Sequence, residues 1–348
     1  MPGNPWRLFR WSEQNSIHVA EIDAGHRLCH EIAERMHQAM LLGHGKEALD
    51  VGLVELGQAF FALFALEEVT MAELHYPEAG AHRAEHDAIR QRVLGFNERF
   101  AHGETALTIE LLQFVTATRE QHHLTSDRKL GEWVKAEKTF ATYMERLLRG
   151  DRMACGVIVG ALLDEGVTMK DIFVKLLQRA LYQIGTLWQQ NEMSDAVEHR
   201  ASEITRRMIG LISERSASAS ATRRAWKAIV TCVAGENHQF GGQMVAELLE
   251  LRGWEAHFLG TNTLIDSLLE MVEEEEPNML ALSVTMASHL GAFNKTVQSI
   301  RRKFPRMVIL AGGQGLRHMR PNGLDPYLHY VRSLDELDAW IASVQAAA

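Results

Sequence analysis

Apolar residues recur about every 3.6 positions over the first two thirds of the chain, and this period is typical of amphipathic helices. Up to about residue 135 the pattern predicts four helices joined by short connections. Short connections favour antiparallel neighbours, so we expect an up-down four-helix bundle over residues 1–135. The predicted helices cover residues 24–42, 46–74, 80–101 and 105–128.

The helical pattern continues over residues 136–215 and predicts a second helical bundle. Its helices are expected at residues 136–149, 152–164, 168–189 and 194–212. Thr168 followed by Asp171 is a typical start of the third of these helices. The small and polar residues 213–224 then predict a linker.

From residue 225 to the end, apolar runs of strand length alternate with helical patterns. The runs begin near Lys227, Trp254, Met279, Met307 and Leu328. Strands that alternate with helices predict a parallel sheet, here a five-stranded Rossmann-like domain over residues 225–348. The predicted fold class is therefore α + α/β.

Composition narrows the class of protein. The 348 residues are 46% hydrophobic and 23% charged, which is ordinary for a globular protein. The net charge of -9 argues against a direct nucleic-acid surface, and no apolar run is long enough to cross a membrane. The N-terminus lacks the apolar core of a signal peptide, and three scattered cysteines show no paired spacing. We expect a cytoplasmic protein without a membrane partner.

A histidine stands on the predicted loop between the first strand and the next helix. Glu236 lies two positions before His238, and Gly241 lies three positions after it. Parallel sheets bind ligands at such loops. A carboxylate can fix the tautomer of a metal-bound histidine, and a glycine lets a bulky group approach the backbone. The alternative is a polar loop histidine without a ligand.

This spacing resembles the Asp/Glu-x-His-x-x-Gly motif of cobalamin-binding domains. Two further elements of that family follow in order, Ser283-Val284-Thr285 after one strand and Gly312-Gly313 after the next. The resemblance implies cobalamin as the cofactor and His238 as its lower cobalt ligand, assisted by Glu236. It also implies a cleft for the nucleotide tail of the cofactor, formed by Gly241, Ser283, Thr285, Gly312 and Gly313.

Histidine is unusually frequent near the N-terminus, because 11 of the 17 histidines lie within the first 123 residues. Histidines and carboxylates recur there at helical spacing, and His82 and His86 form an i,i+4 pair. Imidazole and carboxylate ligands converging in a bundle suit a di-iron site. The alternative for the histidine pair is a solvated helix face. The candidate ligands are His26, Glu67, His82, His86, His122 and Asp127.

The same residues resemble hemerythrin. That resemblance implies bridging carboxylates from Glu67 and Asp127, with His26 on one iron and three histidines on the other. Leu63 stands where the family has a fifth histidine. The departure leaves an open coordination position or a single metal, unless His30, one turn after His26, replaces the missing ligand. Reaction with oxygen or peroxide at an open iron becomes more plausible than reversible oxygen carriage.

The second bundle carries Trp188, nine further residues and then Glu198-His199. This spacing resembles the light-responsive adenosylcobalamin regulators of carotenoid synthesis. The resemblance implies a helical cap in which Trp188 packs over the upper ligand while Glu198 and His199 lie at the adenosyl group. Core packing is the alternative for Trp188. Gln189 replaces a histidine that captures cobalt in that family, so we do not expect a bis-histidine photoproduct.

These expectations favour a sensor that couples cobalt–carbon photolysis, the oxygen or redox state of a di-iron site, or both, to a conformational signal. The alternatives are an enzyme that uses oxygen or peroxide with a cobalamin, and a corrinoid methyl carrier. The bundle occupies the place of a DNA-reading module, so output through a homo-oligomer or a partner protein is expected.

Overall fold

The computed structural model describes residues 9, 11–102, 104, 108–217, 226–317, 319 and 325–347. The chain divides into two compact units, Met1–Ala141 and Thr142–Ala348. The predicted second bundle and the predicted sheet domain both lie in the second unit.

The first unit is the predicted four-helix bundle. After a short 3₁₀ turn at Glu13–Asn15 come α1 (Ala20–Leu41), α2 (Gly45–Glu73), α3 (Ala79–Ala101) and α4 (Thr108–Thr118). Ile22, Leu56, Phe64 and Leu111 are among the fully buried side chains of its core. Helix α1 begins four residues before the predicted start at residue 24.

The predicted end of the fourth helix at residue 128, and a new start at residue 136, are wrong. Helix α4 passes into a π-helical segment (Arg119–Asp127) and then directly into α5 (Arg128–Arg149). No proline interrupts residues 128–136. The one glycine of this stretch, Gly131, is a packing position, because a side chain there would meet the backbone oxygen of Ile17 at 2.3 Å.

The second unit opens with helices close to the predicted ones. They are α6 (Arg152–Asp164), α7 (Met169–Ile172), a π-helical segment (Phe173–Gln178), α8 (Arg179–Gln189) and α9 (Asp195–Ala217). Thr168 caps α7 as predicted, since its hydroxyl accepts the backbone N–H of Asp171 at 3.1 Å.

The predicted linker is wrong for residues 213–217, which are helical, and residues 218–224 lie outside the described residues. In this last part of helix α9, Arg215 binds Asp164 of α6 at 2.5 Å.

The five predicted parallel strands are confirmed. They are β1 (Lys227–Cys232), β2 (Glu255–Phe258), β3 (Met279–Ser283), β4 (Val308–Gly312) and β5 (Leu328–Val331). The helices between and after them are α10 (Phe240–Leu251), α11 (Ile265–Glu275), α12 (Leu290–Lys303) and α13 (Leu334–Ala347). Two short 3₁₀ turns lie at Ala287–His289 and Gln314–Leu316.

The strand order β2-β1-β3-β4-β5 places the functional loops side by side. From β1 the chain first moves outward to β2 and then returns to place β3 on the other side of β1, so the strand order reverses between β1 and β3. Ligands bind at such switch points. Cys232 pairs with Ser283, and Ser283 pairs with Gly312. The ends of β1, β3 and β4 are therefore level, and their loops open on one edge.

The sequence analysis also predicts unpaired cysteines and no membrane-spanning segment. Cys29, Cys155 and Cys232 are buried and free of disulfides. A search of the described helices finds none that is long and apolar enough to cross a membrane.

Replacing Gly131 by alanine should destabilise the bundle by about 1–3 kcal/mol, because the new methyl group meets backbone that cannot move cheaply. The matched control is Gly95→Ala in α3, where nothing lies within 4 Å of the new methyl group. That change should stabilise by about 1 kcal/mol through helix propensity. Urea unfolding measures both, and equal effects of the two changes would contradict the assigned packing.

Candidate metal and cofactor sites

Five predicted metal ligands meet inside the bundle. Their ligand atoms lie within 4.8 Å of one another, and all five residues are buried: Glu67, His82, His86, His122 and Asp127. Glu67 is on α2, and the two histidines of the i,i+4 pair are on α3. His122 and Asp127 come from the π-helical segment. The structure thus brings together residues from three helices that the sequence separates.

The two carboxylates face histidines on both sides. Nε2 of His86 lies 2.9 Å from Oε2 of Glu67. Nε2 of His82 and Nε2 of His122 lie 3.0 and 3.2 Å from Oδ1 of Asp127. His26 faces the other two oxygens, at 2.9 Å from Oδ2 of Asp127 and 3.6 Å from Oε1 of Glu67. Each carboxylate therefore offers one oxygen to two of the other three histidines and its second oxygen to His26, as bridging ligands between two metal ions would.

Buried atoms without hydrogen-bond partners test whether a metal fits here. Both oxygens of Glu67, Oδ1 of Asp127 and Nε2 of His86 and His122 have no such partner, and neither ring nitrogen of His82 has one. Orphaned buried polar atoms are costly, and metal ions would satisfy them. Imidazole nitrogens with carboxylate oxygens are a donor set that iron accepts. The residues present therefore fit a di-iron centre.

Outer carboxylates orient two of the histidines. His86 donates its Nδ1–H to Glu68 at 2.9 Å, and Arg90 donates to the same oxygen at 2.7 Å. His122 donates its Nδ1–H to Glu85 at 2.6 Å. These bonds turn Nε2 of both rings toward the centre, the usual arrangement at a metal. The sequence did not reveal the role of Glu85, because its partner lies on another segment.

The buried charges shift the titration of the cluster. Burial opposes protonation of His82, but the adjacent carboxylates of Asp127 and Glu67 outweigh it and raise the pKa of His82 to about 9. Burial also opposes ionisation of Asp127, and the surrounding histidines nevertheless hold the pKa of that carboxyl well below its usual range. A negative carboxylate pair enclosed by imidazoles attracts cations.

Leu63 lies beside His26 as the sequence departure predicts. Its side chain is buried against Gly25, where an added methyl group would come within 2.7 Å of Leu63 Cδ1. Together with Phe60, Phe64 and Val115 it lines a cavity of about 30 Å³ that also touches His26. This volume is about that of one water molecule. The space beside Leu63 is therefore unfilled by side chains, mainly apolar and very small.

His30 points to a different partner. It donates its Nδ1–H to the backbone oxygen of Phe9 at 3.1 Å, and burial lowers its pKa. His30 nevertheless lines the same small cavity as His26 and Asp127, so its role as a metal ligand stays a prediction.

His123 is a site residue that the sequence reasoning missed. Its ring stacks on His26 with centroids 3.7 Å apart, and it donates Nε2–H to the backbone oxygen of Asn15 at 2.8 Å. Burial lowers its pKa to about 3, so the ring is neutral. The π-helical turn lets adjacent His122 and His123 both face the interior. The adjacent histidine pair was the available signal.

The second unit holds the predicted cobalt ligand on the loop after β1. Glu236 is fully buried and accepts the Nδ1–H of His238 at 2.5 Å. It also accepts the backbone N–H groups of Thr285 at 2.8 Å and Met286 at 3.0 Å. His289, which the sequence did not indicate, donates its Nδ1–H at 3.1 Å. One carboxylate therefore joins the loops that follow β1 and β3.

This network sets the state of His238. Burial alone would raise the pKa of Glu236, but hydrogen bonds from His238, Met286 and His289 hold it far below its usual range. The ionised carboxylate in turn raises the pKa of His238. Because Nδ1 of His238 is engaged, Nε2 is the nitrogen left to bind a metal.

A cleft of about 530 Å³ opens above this loop. Six of the predicted cofactor residues and Glu198 from α9 line it: His238, Gly241, Ser283, Thr285, Gly312 and Gly313, with Gln189 also in the wall. Gly313 has φ +111°, and a side chain there would meet the backbone oxygen of Val284 at 2.2 Å, so only glycine fits. The cleft is concave and its surface is mainly apolar, as that of cofactor sites is.

Two predicted upper-face residues lie outside the described lining of the cleft. Trp188 is 46% exposed, and its indole N–H donates to Asp195 at 2.7 Å. His199 is exposed and pairs with Glu198 at 2.5 Å. The structure thus brings Glu198 to the cleft but not Trp188 or His199.

Two protein-family models match this chain. Residues 226–332 match the family described as B12 binding domain, and residues 139–213 match a second family of the same description. A solved structure of a monomethylamine corrinoid protein from Methanosarcina barkeri has the same fold, with a TM-score of 0.52 and 14% identity. It aligns over 60% of this chain and 99% of that one.

Three known proteins are similar to different parts of this chain. A bacteriohemerythrin from Clostridium acetobutylicum is 26% identical over 35% of this chain and 98% of its own length. Dimethylamine corrinoid protein 2 from Methanosarcina acetivorans is 20% identical over 41% of this chain and 67% of its own length. The HTH-type transcriptional repressor CarA from Myxococcus xanthus is 26% identical over 41% of this chain and 49% of its own length. The chain therefore combines hemerythrin-like and cobalamin-binding parts.

The bridging arrangement predicts unequal metal losses. Asp127→Asn should remove most bound iron, because both histidine groups face this carboxylate. His26→Ala should leave the iron that the three other histidines hold. Iron per chain after anaerobic loading with ferrous ions measures this, with exposed His102→Ala as the control. Equal losses from Asp127→Asn and His26→Ala would contradict bridging.

The loop after β1 predicts a nitrogen ligand to cobalt. His238→Ala should change the absorption spectrum of bound hydroxocobalamin to that of a form without the nitrogen ligand. Glu236→Gln should weaken binding by about 10–100-fold, the usual effect of removing a partner of a metal ligand. His257→Ala on β2 is the control. A wild-type spectrum in His238→Ala would exclude this histidine as the ligand.

Proposed function

We propose that this chain is a cobalamin-binding sensor whose bundle carries a hemerythrin-type di-iron site. The observation that carries the proposal is the network of Glu236, which fixes His238 below a cleft lined by glycines. The matches to B12 binding domains over residues 139–213 and 226–332 support the same assignment.

The wall of the cleft opposite the β1 loop favours a cofactor with a polar upper group. Glu198 lines the cleft, and its Oε1 accepts the hydroxyl of Ser202 at 2.7 Å while Oε2 binds His199. A carboxylate in this position can accept hydrogen bonds from ribose hydroxyls. Adenosylcobalamin supplies such hydroxyls and a cobalt–carbon bond that light can break. Similarity to the repressor CarA supports a regulatory role.

The helical part and the sheet part of the second unit are held together by charge. Lys170 of α7 binds Asp335 of α13 at 2.7 Å and Asp338 of the same helix at 3.5 Å. Exposed ion pairs each contribute little, so this contact can be broken at small cost. We infer that movement of the helical part is the conformational output of the sensor.

The bundle would add oxygen or peroxide as a second input. His26, Glu67, His82, His86, His122 and Asp127 would hold the iron. The small cavity of about 30 Å³ beside Leu63 suits oxygen or peroxide better than an organic substrate. This limit favours sensing over oxidation of an organic compound at the iron.

A corrinoid methyl carrier is the second candidate. Similarity to a dimethylamine corrinoid protein favours it, and so does the position of Trp188 and His199 outside the cleft, since a carrier needs an open upper face. A methyltransferase would then be the partner.

Glu198→Gln separates the two candidates. In a sensor for adenosylcobalamin, the change should weaken binding of that form by about 1.5 kcal/mol or more, about tenfold in Kd, because a charge-assisted hydrogen bond is lost. Binding of methylcobalamin should not change. Isothermal titration calorimetry in the dark measures the Kd of each form. Glu203→Gln, at an exposed position on the same helix, is the control.

Green light supplies the second half of this experiment. The adenosylcobalamin complex should change its absorption and its elution volume after illumination without oxygen. If Glu198→Gln changes the Kd values of both forms by the same factor, and elution does not respond to light, the carrier is favoured and the sensor is refuted.

A further inference from the structure

Two aromatic residues connect the metal cluster with the edge of the bundle. The ring of Tyr76 lies 6.2 Å from that of His82, and the ring of Trp133 lies 6.1 Å from that of Tyr76, centroid to centroid. Tyr76 is 7% exposed, whereas Trp133 is half-buried at the rim of the core. Consecutive ring contacts thus run from one candidate iron ligand to a side chain that solvent reaches.

The indole of Trp133 is held in a way that suits one-electron chemistry. Its Nε1–H donates to the backbone oxygen of Leu74 at 3.0 Å, in the turn between α2 and α3. A neutral carbonyl oxygen is a poor base, so the proton stays on the nitrogen when the ring loses an electron. Neither a proton acceptor nor a change of geometry is required.

Charge around this pair favours a positive ring. Glu78 and Glu132 lie close enough to act on Tyr76 through their charges, and Lys129 pairs with Glu78 at 3.1 Å. Glu132 therefore leaves negative charge beside the pair, which lowers the energy of an oxidised indole.

A second set of ring contacts starts at His26, but a cation lies beside its outermost ring. Trp11 stacks on His123 at 6.1 Å, and His123 stacks on His26 at 3.7 Å. The guanidinium of Arg27, however, lies 5.0 Å from the centre of the Trp11 ring. A cation over an indole stabilises the neutral ring and opposes loss of an electron. Two routes of similar length are therefore distinguished by charge.

We propose that Trp133 and Tyr76 carry single electrons between the surface of the bundle and its metal site. After peroxide has taken electrons from the site, Trp133 gives one electron, which passes across the rings of Tyr76 and His82, and the site regains one electron. A one-electron carrier at the surface then returns an electron to the indole, and no bond breaks. The proposal rests on the iron site of the proposed function and adds to it a route by which the site is reset after oxidation.

The test mixes the iron-loaded protein with hydrogen peroxide and then with ascorbate, a one-electron donor, in a stopped-flow spectrometer. Trp133→Phe should slow the return of the absorption to that of the untreated protein by at least about tenfold, equivalent to about 1.4 kcal/mol in the barrier. Trp11→Phe is the matched control and should react at the wild-type rate. Equal rates for Trp133→Phe and the wild type, or slowing by Trp11→Phe alone, would overturn the proposal.

Changes at Tyr76 keep the test decisive if Trp133→Phe folds poorly. Tyr76→Phe retains the ring and should reduce at the wild-type rate, whereas Tyr76→Leu removes the ring and should be slow. Slow reduction of Tyr76→Phe, or reduction of Tyr76→Leu at the wild-type rate, would refute transfer across the ring. Peroxide treatment followed by rapid freezing should give a tryptophan radical in electron paramagnetic resonance that Trp133→Phe lacks and Trp11→Phe retains.

Iron content and ferric absorption are recorded before each measurement. A protein without bound iron refutes the proposed metal site, whereas normal iron content with unchanged reduction rates refutes only the electron route.

Discussion

Burial of carboxylates is the constraint on which both sites depend. Glu67, Asp127 and Glu236 are almost completely buried, and a buried charge must be compensated by hydrogen bonds or by cations. The chain compensates them in two ways. Glu236 receives protein donors from two loops and two histidines. Glu67 receives none, and both of its oxygens lack partners. The first carboxylate organises a loop, and the second is prepared for metal ions.

The predictable features follow from periodicity along the chain. Five apolar runs gave the five strands, and the i,i+4 spacing of His82 and His86 predicted a shared face that the structure places on the cluster. Motif spacing also located His238 and its carboxylate on one loop. These signals are local in sequence, so they survive without knowledge of the packing.

The missed features depend on contacts between distant segments. Glu85 and His123 act through partners on other segments, His122 for one and Asn15 for the other. Trp188 was assigned to the upper face by spacing alone, but the nearby Asp195 binds its indole at the surface. The break expected near residue 128 does not exist, because Gly131 serves close packing against Ile17 and does not end a helix. A single sequence carries no direct record of such contacts.

The π-helical segment Arg119–Asp127 determines which changes of length the bundle can accept. In an ordinary helix each residue adds about 100° of rotation, so one deleted residue would turn Asp127 away from the direction of His122. The wider turn accommodates one more residue while both ligands still face the centre. Natural variants of this chain should therefore lose or gain residues in the connections between the bundle helices and keep the number of residues between His122 and Asp127 constant. The spacing in this short segment is a criterion for recognising functional relatives, independent of overall identity.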